Sequence, residues 1–271
     1  MLNEPISLFR PNTIDFSQAK IPMRTSLRDQ FFLYFTPVYA NSEKLKKEVY
    51  GIRHDVYCDE FHFEKGNTSH VETDNYDDYS HHFLIQHNET GKYAGCIRLI
   101  LPPKEQPDTP LPVEEHMFDT LDRDVINPQL LIHGCYAELS RLAVHSDFRK
   151  RVSDRHTPEG LTNNPEEFEH AKRAFPLINV GLYLSAFSLA LYCHTYYQLD
   201  NIFMVTEPRL ARNVKRFGLA FEQAGPLTEY HGSRAPYVFK ATNERKMSED
   251  TQNLFEGINS ILIDQFSPHL P

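Results

Sequence analysis

The sequence predicts an α/β domain: a mixed, largely antiparallel sheet with helices on both faces. Short apolar runs of strand character recur along the chain, among them HHFLIQHN, YAGCIRLILP, CYAELSRLAVH, NIFMVTE and PYVFKAT. Between them lie segments whose apolar residues recur at helical spacing. The first two runs are separated by ETGK alone, which reads as a hairpin turn. No Pro/Gly/Ser-rich linker divides the chain, so the elements are expected to share one core.

Taken in order, residues 1–28 carry little pattern and read as an arm. FFLYFTPVYA, from Phe31, reads as a short strand. In NSEKLKKEVYGIRHDVYCDEF, Asn41 or Ser42 can cap a helix, and Leu45, Val49, Ile52 and Val56 form its apolar stripe. The acidic stretch ETDNYDDYS follows, then the hairpin. Residues 102–128 are rich in Pro and charge and read as an excursion. CYAELSRLAVH is a strand, and residues 146–169 a long polar loop. AFPLINVGLYLSAFSLALYCHTYY approaches the length of a membrane span. Asn179, Ser185, Ser188 and His194 interrupt it, so a buried core helix is the expectation. NIFMVTE is a strand and PRLARNVKRFG a helix, opened by Pro208 and closed by Gly218. LAFEQAGPLTEY and PYVFKAT read as the last strands, and SEDTQNLFEGINSILIDQF as a terminal amphipathic helix. The expected organisation is an arm (1–28), one domain (29–245), and a C-terminal helix with its tail (246–271).

Composition narrows the function. A net charge of -9 argues against nucleic acid as a partner. Trp is absent, so 19 Phe and 14 Tyr supply the aromatic packing. Cys58, Cys96, Cys135 and Cys193 are scattered, which fits reduced thiols in a cytoplasmic protein. The first residues lack the basic and apolar regions of a signal peptide.

Charge inside apolar strands is costly unless paired. Arg98 sits within GCIRLIL, and Glu138 and Arg141 within AELSRLAV. Arg53 lies late in the first helix, and Asp74 and Asp77 in the acidic stretch. Each alone fits a structural ion pair. The set is better read as a pocket that holds a zwitterion, its ammonium on carboxylates and its carboxylate on an Arg fork. In that reading Asp74 and Asp77 wall the pocket and orient Arg53 and Arg98, while Glu72 and Asp78 serve the turn and solvent. Histidines are numerous, yet none falls in H-x-x-x-H on a clear helix or beside a Cys pair, so no metal site is expected. Ser140 lies outside any G-x-S-x-G, which argues against a serine nucleophile.

The series Arg53, Tyr57, Phe63, ETDNYD, GCIRLIL and ELSRLAV resembles the acyl-homoserine-lactone (autoinducer) synthases and their relatives, the N-acyl amino acid synthases. Within that group it looks most similar to the PEP-CTERM/exosortase-system-associated acyltransferases. The resemblance spans roughly residues 30–240 and implies a GNAT-like acyltransferase fold. It also implies catalytic roles for Glu138, Asp74 and Arg98, and substrate-binding roles for Arg53, Asp77, Arg141, Phe63 and Tyr57. Glu138 would be the base that frees the acceptor amine, since an ammonium has no lone pair with which to attack a thioester. Two departures stand out. Phe63 occupies a place where autoinducer synthases usually carry Trp, and the chain is longer near 102–128 and 146–170. Nothing demands S-adenosylmethionine, so an amino acid or other small amine is the expected acceptor. Lactone synthesis, or a non-catalytic lipid- or carrier-binding domain, are the alternatives.

No bound cofactor is expected. GNAT enzymes normally hold a CoA pyrophosphate on a Gly-rich turn, and HSDFRKRVSDRHTPEG lacks it. The missing turn favours acyl carrier protein as the donor, with acyl-CoA as the alternative. An acidic carrier needs a basic docking patch. Two are on offer: Arg149, Lys150, Arg151 and Arg155 in the polar loop, and Arg209, Arg212 and Arg216 on one helix face. Leu177, Val180, Leu184 and Phe187 are mostly core but are candidates to wall an acyl tunnel. A fatty acyl product makes peripheral membrane contact a further expectation.

Overall fold

A computed structural model describes residues 26–66, 68–149, 174–229, 232–240 and 247–270. Its strands are β1 (Phe35–Tyr39), β2 (Ser80–His87), β3 (Tyr93–Ile100), β4 (Tyr136–Val144), β5 (Asn201–Thr206), β6 (Glu222–Gln223), β7 (Thr228–Glu229) and β8 (Ser233–Lys240). They form one sheet in the order β1-β2-β3-β4-β5-β8-β6, with β7 paired to β8. β4 and β5 are parallel, and every other pair is antiparallel. The helices are α1 (Leu27–Tyr34), α2 (Glu43–Arg53), α3 (Pro112–His116), α4 (Ala174–Tyr197), α5 (Pro208–Arg216) and α6 (Glu249–Phe266).

Residues 31–34 depart from the expected strand, and residues 27 and 28 from the expected arm. Residues 27–34 form α1, and the strand starts only at Phe35. Ser26 caps α1 by accepting the Asp29 N–H at 3.0 Å. Two helices then accommodate its aromatic side chains. The Phe31 ring lies where a Cβ on Gly181 would stand, 2.3 Å away, and the Phe32 ring lies 2.6 Å from the corresponding point at Gly257. Tertiary packing thus overrides the β preference of an aromatic run. The helix expected from Asn41 onward also changes character. Ser42 caps α2, but from His54 to Glu60 the chain is π-helical, and Phe61 N–H donates to Val56 O five residues back.

Each sheet face is covered. On one face α1, α4, α5 and α6 enclose the main core, which includes Phe31, Phe83, Leu99, Leu139, Leu184, Val214 and Leu262. α4 is apolar and long enough to cross a membrane, and 83% of its most apolar window is buried inside the domain. It is a core helix of this fold. α6 contributes Leu254, Phe255, Ile258 and Leu262 to the same core.

The opposite face carries two separate apolar clusters. α2 and the π-helical turn cover Ala40, Leu84, Cys96 and Ala143. The 102–128 excursion covers Ile100, Tyr136, Phe203 and Val238 with Leu111, Val113 and Met117. It is a packed layer, not a surface detour. Between the clusters the same face turns polar. Along β3, Arg98 lies between Cys96 and Ile100; along β4, Glu138 and Ser140 lie between Tyr136 and Ala143.

Candidate functional site

Arg98 sits mid-sheet, opposite His82 on β2 and Ser140 on β4. Its side chain is 1% exposed. Nε donates to Ser140 Oγ at 3.0 Å, and Nη1 to Asp74 Oδ1 at 2.6 Å and Asp77 Oδ1 at 2.8 Å. Arg53, fully buried at the end of α2, donates through Nη1 to Asp77 Oδ1 at 2.6 Å and through Nε to Glu72 Oε2. The acidic stretch organises itself as well: Asp77 accepts the Asp74 N–H at 2.8 Å, and Asp74 accepts the Tyr76 N–H at 3.0 Å.

Arg141 reaches the same cluster by a backbone irregularity. β3 and β4 shift register by one residue between Cys96 and Arg98, leaving an extra residue on β4. Arg141 there adopts φ 51°, a left-handed value uncommon for a side chain of this size. The bulge breaks the alternation of the strand. Ser140 and Arg141 both face the polar gap, while Leu139 and Leu142 both enter the main core. Arg141 Nη2 then lies 3.1 Å from Asp74 and 3.2 Å from Glu72, and donates to Glu64 at 3.4 Å. Its guanidinium stands over the Tyr57 ring, whose hydroxyl donates to Leu142 O at 2.7 Å.

Three guanidiniums thus meet Glu64, Glu72, Asp74 and Asp77. Burial alone would raise Glu72, Asp74 and Asp77. For Glu72, Arg53 and Arg141 outweigh it; for Asp74, Arg98 and Arg141 do so; for Asp77, Arg53 and Arg98 do so. All three are held below the usual carboxylate range. Glu72 is a correction to the sequence reading. It is 6% exposed and bridges two arginines, whereas Asp78 is exposed.

Glu138 stands apart. It is 3% exposed and accepts the Val113 N–H at 2.7 Å. Among the described residues no Arg, Lys or His comes within ion-pair distance of it. Burial pushes its carboxyl up to about 7, against weaker opposition from the Val113 N–H, Arg98 and Arg141. Both guanidiniums are ion-paired elsewhere, Arg98 with Asp74 and Asp77 and Arg141 with Glu64, Glu72 and Asp74. The result is a buried acid poised to exchange a proton near neutral pH.

A cavity of about 190 Å³ opens at this point. Asp74, Arg98, Glu138, Ser140 and Arg141 form its polar side, and Tyr57, Phe63, Tyr76 and Val205 its aromatic and apolar side. Pro112, His116 and Met117 from the excursion complete the wall, with Arg234 from β8. The sequence reading passed over these last four; Arg234, charged at the start of an apolar strand, gave a signal of the same kind as Arg98. A smaller cavity of about 30 Å³ adjoins through Tyr57, Ser140, Arg141, Val205 and Arg234. It occupies the gap past Leu139–Met204, where the β4–β5 ladder ends. Its apolar lining is Ile97, Leu139, Leu142, Tyr183, Met204 and Leu210. From α4 it takes Tyr183, while Leu177, Val180, Leu184 and Phe187 are buried in the main core.

Only part of the set expected to dock a carrier lies among the described residues. Arg149 is not on the surface: it is 2% exposed, ion-paired to Glu60 and over the Phe61 ring. Lys150, Arg151 and Arg155 lie outside the described residues. On α5, Arg212 and Arg216 are exposed and Arg209 is half-buried.

Comparison with known proteins bears on the fold that carries this arrangement. The acetyltransferase (GNAT) domain family matches residues 52–157, a segment containing every network residue from Arg53 to Arg141. Residues 52–157 are thus similar to a GNAT-type acetyltransferase domain, and the sheet and its helices form a mixed α/β GNAT-like fold. Among solved structures, the AHL synthase LasI superposes with a TM-score of 0.51 at 17% identity, over 83% of this chain and 95% of its own. TofI, solved in a ternary complex with an inhibitor and MTA, gives 0.50 at 15% identity, over 82% and 96%. At these identities the likeness is one of fold. No curated protein matches the chain.

Proposed function

We propose that the protein is an N-acyltransferase. It moves a fatty acyl chain from an acyl carrier protein thioester to the amine of an amino acid or similar small acceptor. The observation that carries this reading is Glu138: a buried carboxyl, pushed up to about 7, on the wall of a cavity it shares with the Asp74, Arg98 and Arg141 ion pairs. An acceptor ammonium entering the cavity meets the carboxylates of Asp74 and Glu64, and its carboxylate meets Arg141 or Arg234. Glu138 takes the ammonium proton. The freed lone pair attacks the thioester carbonyl, and backbone N–H groups of β4 past the end of the β5 ladder stabilise the oxyanion. The C–S bond then breaks, and the proton that the acylated nitrogen must lose to become an amide passes to the departing thiolate, which leaves as the carrier's thiol. The apolar gap beside Tyr183 and Leu210 suits the proximal acyl chain.

The exposed arginines of α5 support an acidic carrier as donor, with acyl-CoA as the simpler substitute. A cytoplasmic site of action, product release at a membrane surface, and a role beside PEP-CTERM/exosortase protein sorting in a bacterium belong to the same reading. The last rests on motif order alone. Mass spectrometry of lipid extracts from bacteria expressing wild type or Glu138→Gln tests the proposal. New N-acyl amino acids with wild type alone support it and identify chain and acceptor. Acyl-homoserine lactones in their place would transfer the assignment to lactone synthesis. Equal product from Glu138→Gln would remove Glu138 as the base.

A further inference from the structure

We propose that His54, Asp59 and His70 form a binding site for a divalent transition metal, zinc being the best match to the donors. One ligand atom from each lies within 4.8 Å of the others. The cluster is separate from the acyl-transfer cavity, and none of the three residues lines it.

The geometry is close to that of a bound shell. Ligands held about 2.0–2.1 Å from zinc at tetrahedral angles stand about 3.3–3.4 Å apart. His54 Nδ1 and Asp59 Oδ2 are 3.4 Å apart. Two imidazoles on one tetrahedral zinc have ring centroids roughly 5 Å apart, inclined rather than stacked. The His54 and His70 rings are 5.0 Å apart at 67°. Metal entry would thus require small side-chain adjustments and no rebuilding of the backbone.

The backbone explains how residues so spaced converge. His54 and Asp59 are five apart, at the two ends of one π-helical turn, whose hydrogen bonds run over five residues. An ordinary α-helix would present i and i+4 together instead. His70 arrives from the returning loop in a left-handed backbone conformation, φ 51°. The loop passes over the turn at Gly66, where a Cβ would make ordinary contact, 3.6 Å from His54 Nε2 and 3.7 Å from Cys58 Cβ. His54 is buried, while Asp59 and His70 are exposed, so the cluster has a fixed base and an open side for entry and for a fourth ligand such as water. Two imidazoles and one carboxylate are donors that suit zinc and disfavour calcium or magnesium.

A metal here would clamp residues 61–70 against the π-helical turn. That segment carries Phe63 and Glu64, which line the cavity and meet Arg141. The site is therefore placed to set the order of one cavity wall.

The test uses the full-length protein after dialysis against a chelator. Co²⁺ is titrated directly, and Zn²⁺ in competition with a chromophoric chelator. One equivalent of metal is expected, with Co²⁺ giving the strong visible absorption of a four-coordinate site. His70→Ala and Asp59→Asn alter exposed side chains, so both should keep the wild-type circular dichroism. Each should weaken binding on the order of tenfold or more by removing a ligand. Zn²⁺ should also slow amide exchange across residues 61–70 in wild type and not in His70→Ala. Absence of stoichiometric binding at micromolar metal would overturn the proposal. So would an affinity unchanged in both variants, which would assign the metal to other histidines.

Discussion

Glu138→Gln should change how stability depends on pH, and the size of the change follows from the burial of this one carboxyl. Glu138 rises from 4.5 to about 7 on folding. Between those values the folded state holds a proton that the unfolded state has released. Unfolding free energy therefore falls as pH rises through this window, by up to about 1.4 kcal/mol per pH unit. Integrated from about pH 5 to about pH 8, the Glu138 carboxyl removes roughly 2–3 kcal/mol of stability from wild type. The amide introduced by Glu138→Gln carries no such proton, and its oxygen can still accept the Val113 N–H. Urea unfolding of both proteins at the two pH values, compared as a difference of differences, cancels every group the substitution leaves alone. Glu138→Gln should gain about 2–3 kcal/mol relative to wild type on going from pH 5 to pH 8. A difference independent of pH would mean that Glu138 titrates at an ordinary value. The case for a base poised near neutrality would then fail.

Asp77→Asn strips the carboxylate shared by Arg53 and Arg98, both buried. Arg53 keeps Glu72 and Arg98 keeps Asp74, but the cluster loses one buried negative charge, which should cost about 3 kcal/mol, read from the urea midpoint. Because Asp74, Asp77 and Glu72 are held below their ordinary values, the stability they add is present above the ordinary carboxylate range. Wild type should lose it as pH falls below about 4, in a transition monitored by circular dichroism. Gly181→Ala would drive a Cβ to within 2.3 Å of the Phe31 ring. A loss of about 1–3 kcal/mol is expected in thermal or urea unfolding. Arg212→Glu combined with Arg216→Glu reverses charge on the exposed face of α5. Capture of an acidic carrier should slow by about tenfold at low salt, with stability unchanged. An unaltered association rate would move the docking surface elsewhere.

The strand periodicity, the hairpin and the buried character of α4 were legible in the chain because apolar pattern dictates which face must leave water. The charged residues of the network were legible for the complementary reason. Arg98, Glu138 and Arg141 interrupt strands that otherwise read as core, and buried charge demands partners. The sequence did not show which acid would meet which base. Glu72 and Asp78 look alike in an acidic stretch, yet one bridges Arg53 and Arg141 and the other faces water. Nor did it show α1, since Phe31 and Phe32 read as strand until Gly181 and Gly257 admit their rings. The loop arginines looked equivalent, and folding placed Arg149 in the interior against Glu60.

By itself, then, the sequence determined the α/β class, the order of most elements and the residue types of the charged cluster. These depend on local pattern and on the cost of burying charge, both of which a linear chain displays. The tertiary structure alone decided the β4 bulge that turns Arg141 into the gap, the excursion that closes the cavity over Glu138, and the π-helical turn that brings His54 beside Asp59 and toward His70. Each depends on strand register or on contacts between distant segments. A one-residue shift in either reverses which side chains meet, and leaves no mark on local composition.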